Sequence, residues 1–153
     1  MRSNDLFVVQ APKNSDFYWF AKRAVENNIV GGVPERDSAA DIMRRALSFD
    51  TGSAYVAITN TAFVVGACRW RDTDKGTQRC LTAVYDGWER RGIGNLLVKA
   101  ICQARPDNPM WSKALPQAWV WCDSLGMHCV ETLPDGRRVY EWSAEEVRAF
   151  ADA

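Results

Sequence analysis

Val84-Tyr85-Asp86-Gly87-Trp88-Glu89-Arg90-Arg91-Gly92-Ile93-Gly94-Asn95-Leu96-Leu97 joins the end of an apolar strand to an amphipathic helix through a Gly-x-Gly turn. Glycine at 92 and 94 removes the Cβ atoms that would block a close backbone approach. The first amides of the following helix have no intrahelical acceptor, and they sit at the positive end of the helix dipole. A turn of this kind favours an anion, phosphate above all.

Outward from this turn, the chain divides into short, alternating elements. Toward the N-terminus, Leu6 to Gln10 reads as a strand closed by Pro12, and a helix runs from Asn14 or Ser15 to about Asn28. Gly31-Gly32-Val33-Pro34 breaks it, and a second helix spans about Asp37 or Ser38 to Phe49. The period then changes to two: Ala54–Ile58 and Ala62–Cys68 flank Asn60-Thr61 as an antiparallel hairpin. Asp72 to Gly76 turns the chain into a further strand, Arg79 to Tyr85, which runs into the Gly-x-Gly turn.

Beyond the turn, Ile93, Leu96, Leu97, Ala100, Ile101 and Ala104 mark the buried face of a helix ending before Pro106. A strand at Met110 to Lys113 and a helix from Pro116 to Leu125 follow, with Gly126 suited to a left-handed C-cap. His128–Leu133 and Arg137–Trp142 form two strands about the turn Pro134-Asp135-Gly136, and Ser143-Ala144-Glu145-Glu146 is a capping box for a terminal helix. No repeat or linker interrupts the pattern. One mixed α/β domain spanning 1–153 is expected.

Composition narrows the function classes. Nineteen Lys and Arg balance nineteen Asp and Glu, so no global charge draws the protein to nucleic acid or to an acidic membrane, although a local basic patch is still allowed. Five cysteines, Cys68, Cys80, Cys102, Cys122 and Cys129, fall at no metal-ligand spacing and are odd in number. A reducing cytoplasm and no metal are the corresponding expectations. No apolar run reaches the length of a membrane span, so the chain is expected to be soluble and not exported. The seven tryptophans, Trp19, Trp70, Trp88, Trp111, Trp119, Trp121 and Trp142, lie on different elements and make no single stripe for stacking bases.

The segment Leu81 to Met127 resembles the GNAT acyltransferase superfamily. That family carries a Val, a loop, Arg or Gln, two residues, Gly, one residue, then Gly or Ala opening the central helix. Val84, Glu89, Gly92 and Gly94 fall at those spacings. Ala118-Trp119-Val120-Trp121-Cys122-Asp123-Ser124-Leu125-Gly126-Met127 is similar to the second family signature, which usually ends aromatic-Tyr-Glu-x-Leu-Gly-Phe. The order of elements along essentially the whole chain also fits.

The resemblance implies a central, mostly antiparallel sheet splayed between two parallel strands, flanked by helices, with acyl-coenzyme A in the splay. Pyrophosphate would rest on the amides of about Arg90, Arg91, Gly92, Ile93, Gly94 and Asn95, and pantetheine would pair like an extra strand with Leu81, Thr82, Ala83 and Val84. Arg90 and Arg91 either add charge-assisted contacts to phosphate or are solvated loop cations. The implied activity is transfer of an acyl group, acetyl first, from acetyl-coenzyme A or another acyl-coenzyme A to an amine by direct attack in a ternary complex. The acceptor is a small-molecule or protein amine, and a homodimer is compatible with the family.

Three positions depart from the family pattern. Glu89 replaces the usual Arg or Gln and puts a carboxylate near the pyrophosphate. Gln78 stands where some members carry a glutamate base, and an amide takes up no proton near neutrality. Cys122 stands where many members carry the tyrosine that protonates the departing thiolate. It is a candidate acid or a small packing residue. His128, the one histidine, is a candidate proton relay or a structural residue. Tyr85, Tyr140 and Glu141 are lesser proton-handling candidates. Phe17, Tyr18, Trp19 and Phe20 on the first helix would border the acceptor in this family. Two further readings stand beside the enzyme: a coenzyme-binding module with weak or no catalysis, and an acyltransferase acting on nucleic acid or a protein partner.

Overall fold

The computed structural model describes residues 6–10, 53–59, 64–84, 90 and 92–153. The two helices expected between Asn14 and Phe49, with Phe17 to Phe20, lie outside the described residues, as do the Asn60-Thr61 connection, Tyr85, Trp88, Glu89 and Arg91. Seven strands form one sheet in the order β1-β2-β3-β4-β5-β7-β6. They are β1 (Leu6–Gln10), β2 (Ser53–Thr59), β3 (Val64–Thr73), β4 (Gly76–Val84), β5 (Met110–Ala114), β6 (His128–Thr132) and β7 (Arg138–Trp142). Three helices are described: α1 (Ile93–Ala104), α2 (Pro116–Ser124) and α3 (Ala144–Asp152).

Every neighbouring pair in the sheet is antiparallel except β4 and β5, whose parallel contact comprises only Thr77 opposite Met110 and Gln78 opposite Trp111. Two local features make that contact short. At its start, Gly76 (φ 109°) lies so close to the chain entering β5 that a Cβ would sit 2.4 Å from the Pro109 carbonyl oxygen. Thr77 N–H donates to that oxygen at 2.8 Å. Just beyond it, Arg69 pairs with Leu81 but Trp70 with Arg79, leaving Cys80 as the extra residue of a bulge. A bulge bends its strand and increases its twist, so β4 turns away from β5 directly after the paired residues.

β3 and β4 extend further than the sequence periodicity indicates, to a turn at Asp74-Lys75. Arg69, Trp70, Arg71 and Asp72 spoil an apolar–polar alternation, and two of them, Arg71 and Asp72, find polar partners. Arg71 Nε donates to Gln78 Oε1 across the hairpin at 2.7 Å, and Arg105 pairs with Asp72 at 3.0 Å.

α1 packs on the sheet through Ile93, Leu97, Val98, Ile101 and Cys102, all buried, against Val65, Trp70, Met110, Tyr140, Trp142, Val147 and Ala151. The stripe is rotated from the one read in the sequence: Leu96 is exposed, and Ala100 and Ala104 are half-buried. Gly66 sets the approach, because a Cβ there would meet Ile93 Cγ2 at 2.8 Å. Each fully buried Leu or Ile on this face contributes about 1.5–3 kcal/mol relative to exposure. That packing fixes the start of α1 over the end of β4.

The helix ends follow their local sequence. Gly126 (φ 80°) closes α2, with Gly126 N–H on Asp123 O at 3.0 Å and Met127 N–H on Cys122 O at 3.2 Å. Both bonds are those of a Schellman cap. Ser143 and Glu146 exchange the two bonds of the capping box, at 3.0 and 3.2 Å, at the start of α3.

Candidate functional site

The turn before α1 holds Arg90 at φ 64° and Gly92 at φ 77°. A left-handed backbone at a non-glycine residue costs on the order of 1 kcal/mol. Gly92 is the N-cap and supplies no side chain, and no acidic residue occupies the first turn. The first helical bond runs from Leu96 N–H to Gly92 O at 3.0 Å, so the amides of Ile93, Gly94 and Asn95 precede the ladder.

Those amides open onto a cleft of about 470 Å³ lined by Thr82, Ala83, Val84, Arg90, Gly92, Ile93, Gly94, Asn95 and Trp121. Eight of these nine, all but Trp121, are residues that the family resemblance assigns to acyl-coenzyme A. Leu81 lies a little further along β4, and Glu89 and Arg91 are outside the described residues. Arg90 is the one charged residue among the described lining, so the cleft favours anions.

Trp121 is the wall the sequence reading did not single out. Its Nε1–H donates to Asn95 Oδ1 at 3.0 Å, and a Cβ on Gly94 would stand 3.1 Å from its ring. The second glycine of the turn therefore makes room for an indole from α2 as well as for a ligand. The one available signal was position: Trp121 precedes the Cys122 of the second signature.

A second hollow of about 180 Å³ continues down the gap between β4 and β5 and shares Thr82 and Trp121 with the first. Arg79, Ser112, Lys113 and Leu115 are among its lining residues, and its described lining contains no carboxylate. Cys122 sits behind it, fully buried, with Arg79 Nη2 donating to its Sγ at 3.5 Å. Burial pushes the Cys122 thiol up from its ordinary value, while the guanidinium acts in the opposite direction and does not cancel it. The group is held as a thiol at neutral pH.

The other sequence candidates fall elsewhere. Gln78 is buried on β4 with its amide oxygen engaged by Arg71, and it forms the last β4–β5 pair with Trp111. His128 lies exposed on the edge strand β6, with Nε2 2.7 Å from Glu146 Oε2, and lines neither hollow. Tyr140 is in the core, its hydroxyl taking a 3.4 Å bond from Arg138, and Glu141 is on β7 opposite Trp111. Among the described residues, no helix is long and apolar enough to cross a membrane.

No protein-family model matches the chain, and no curated protein matches it in sequence. Solved structures do. The catalytic domain of the Tetrahymena GCN5 histone acetyltransferase in complex with coenzyme A is similar at a TM-score of 0.61 and 13% identity, over 94% of this chain and 95% of that one. An acetyltransferase of the GNAT family from Staphylococcus aureus gives 0.55 and 13%, over 89% and 97%. A mutant of the AtaT toxin, bound to the C-terminus of the antitoxin AtaR and to acetyl-CoA, gives 0.62 and 13%, over 95% and 97%. The chain has the GNAT acetyltransferase fold.

Proposed function

We propose that this chain is an acyl-coenzyme A dependent N-acyltransferase that moves an acetyl group from acetyl-coenzyme A to an amine. The observation that carries the reading is the parting of β4 and β5 after two residue pairs, into a groove that ends on the uncapped N-terminus of α1. An acyl-coenzyme A needs those two things together: anion donors for its pyrophosphate and an open strand edge for its amide-bearing arm. The first amides of α1 and Arg90 would hold the phosphates, and the main chain of Leu81 to Val84 the arm. The bound coenzyme supplies the activated acyl group as a thioester. Two solved structures of this fold contain coenzyme A or acetyl-CoA, which supports the same reading.

The chain's own contribution is then orientation and proton handling. A groove that fixes the thioester beside a neutral amine supplies much of the acceleration through proximity alone. Gln78 cannot act as a base, so the acceptor nitrogen would lose its proton to water. Cys122 is held as a thiol but is fully buried and lines neither hollow, so the departing thiolate would take its proton from water. Five free cysteines suit a reducing compartment such as the cytoplasm.

The test is release of free thiol on mixing the protein, acetyl-coenzyme A and a panel of small amines and lysine peptides. Turnover above the acceptor-free rate is the expected result. Tight coenzyme binding with no turnover across the panel would instead favour a coenzyme-binding module. That second reading has its own observation in Gln78, whose oxygen is engaged by Arg71 where some relatives place a carboxylate.

A further inference from the structure

Arg79 is a buried cation with no anion paired to it among the described residues. Only 6% of it is exposed. Nη1 donates to Thr82 Oγ1 and Nη2 to Ser112 Oγ, each at 3.2 Å, and Nη2 also reaches Cys122 Sγ. Its guanidinium carbon stands 4.6 Å from the centre of the Trp121 ring. Nε is buried and has no hydrogen-bond partner among the described residues. Among the described residues no carboxylate pairs with it. Two hydroxyls, a thiol and an indole satisfy donors but do not neutralise charge, and an uncompensated buried ion destabilises the fold. Folding alone would be better served by an apolar residue here. Arg79 is also among the residues lining the second hollow, at the place where β4 leaves β5.

Resting on the acyl-coenzyme A reading above, the geometry points to the missing anion being one created during the reaction. From Val84 back to Arg79 is five residues, about 17 Å of strand at the usual rise. An arm anchored by its phosphates at α1 and running along β4 thus delivers its sulfur toward Arg79, past Thr82 and Trp121, which line both hollows. We propose that Arg79 is a catalytic residue that stabilises the thiolate of the leaving coenzyme. The amine nitrogen bonds to the thioester carbon, the carbon–sulfur bond breaks, and its electron pair goes to sulfur beside the guanidinium. The coenzyme leaves as the thiolate held beside the guanidinium, the proton shed by the amine goes to water, and the thiolate takes up an equivalent proton from water on release.

Coenzyme A itself tests this without an acceptor. The thiol of bound coenzyme A is titrated by its thiolate ultraviolet absorbance, with the desulfo analogue as the blank that removes the protein's own cysteines. In the wild-type protein it is expected to ionise about one pH unit or more below free coenzyme A, the effect of a near opposite charge. Arg79→Met should abolish the shift, and Arg79→Lys should retain part of it. An unshifted thiol in wild-type protein that binds coenzyme A, or an equal shift in Arg79→Met, overturns the role of Arg79 and leaves the donor site standing. Failure of the wild type to bind coenzyme A removes both. Should Arg79→Met not fold, the wild-type titration and Arg79→Lys still decide. With an acceptor in hand, thioester donors of more acidic thiols should narrow the kcat difference between wild type and Arg79→Lys, which a merely structural arginine would not do.

Discussion

Two helices in this protein begin in opposite ways. α3 starts at Ser143, whose hydroxyl accepts from Glu146 N–H, while the Glu146 carboxylate accepts from Ser143 N–H and also contacts His128. Glu145 and Glu146 place negative charge in its first turn. α1 starts at Gly92 with no capping side chain and no acid in the first turn, and its amides face a cleft. Both ends carry the same donors and the same positive end of a helix dipole. α3 satisfies its donors from within the chain, at the cost of being useless to a ligand. α1, with glycine at its N-cap, forgoes only about a few tenths of a kcal/mol and keeps its donors for something else.

That contrast can be broken in several places. The largest effect is expected from Gly92→Asp. The direction of a new Cβ is open, and Asp tolerates a positive φ better than most residues, so the protein should fold. A carboxylate in the cradle should weaken acetyl-coenzyme A binding about 100-fold, the loss of one or two charge-assisted contacts. Calorimetry reads it directly, and unchanged affinity in a folded variant would move the site elsewhere. Trp121→Ala removes the shared wall of both hollows and the bond to Asn95, and a roughly tenfold loss of affinity is expected.

Ser143→Ala gives the complementary result. It should cost about 1 kcal/mol in denaturant unfolding and leave coenzyme affinity unchanged. The smallest effect is the pH dependence of that cost. The Ser143 N–H bond, with His128 as a lesser cause, holds the Glu146 carboxyl below its ordinary value. A depressed carboxyl pKa stabilises the folded state above the unfolded value of about 4.3 and is lost as pH falls through the folded value. Melting curves of wild type and Glu146→Gln should therefore converge in acid and differ near neutrality, and a constant difference down to the acid limit would refute the coupling.

What the sequence disclosed and what it hid divide along the same line. Ser143–Glu146, Gly126, Pro134-Asp135-Gly136 and the Gly92–Gly94 turn are settled by neighbours three or four residues away, and each is where the sequence put it. The GNAT fold and eight of the nine described residues lining the cleft follow from those local cues and their order. The burial of Arg79 was hidden because its partners Ser112 and Cys122 lie 33 and 43 residues along the chain. Leu96 was assigned to the core because a 3.6-residue period does not by itself fix the rotation of the stripe, which Gly66 and Ile93 set across the sheet interface. The full length of the β3–β4 hairpin escaped because Arg69, Arg71 and Asp72 interrupt the apolar alternation, Arg71 and Asp72 being partnered by Gln78 and Arg105.

Backbone amide shifts during a coenzyme A titration would compare the two helix starts in one experiment. Ile93, Gly94 and Asn95 should move strongly and become protected from hydrogen exchange, while Ala144, Glu145 and Glu146 stay where they are. Coenzyme A binding that leaves the α1 amides unmoved, or perturbs both helix starts alike, would contradict the claim that the uncapped N-terminus of α1 is reserved for the phosphates of an acyl donor.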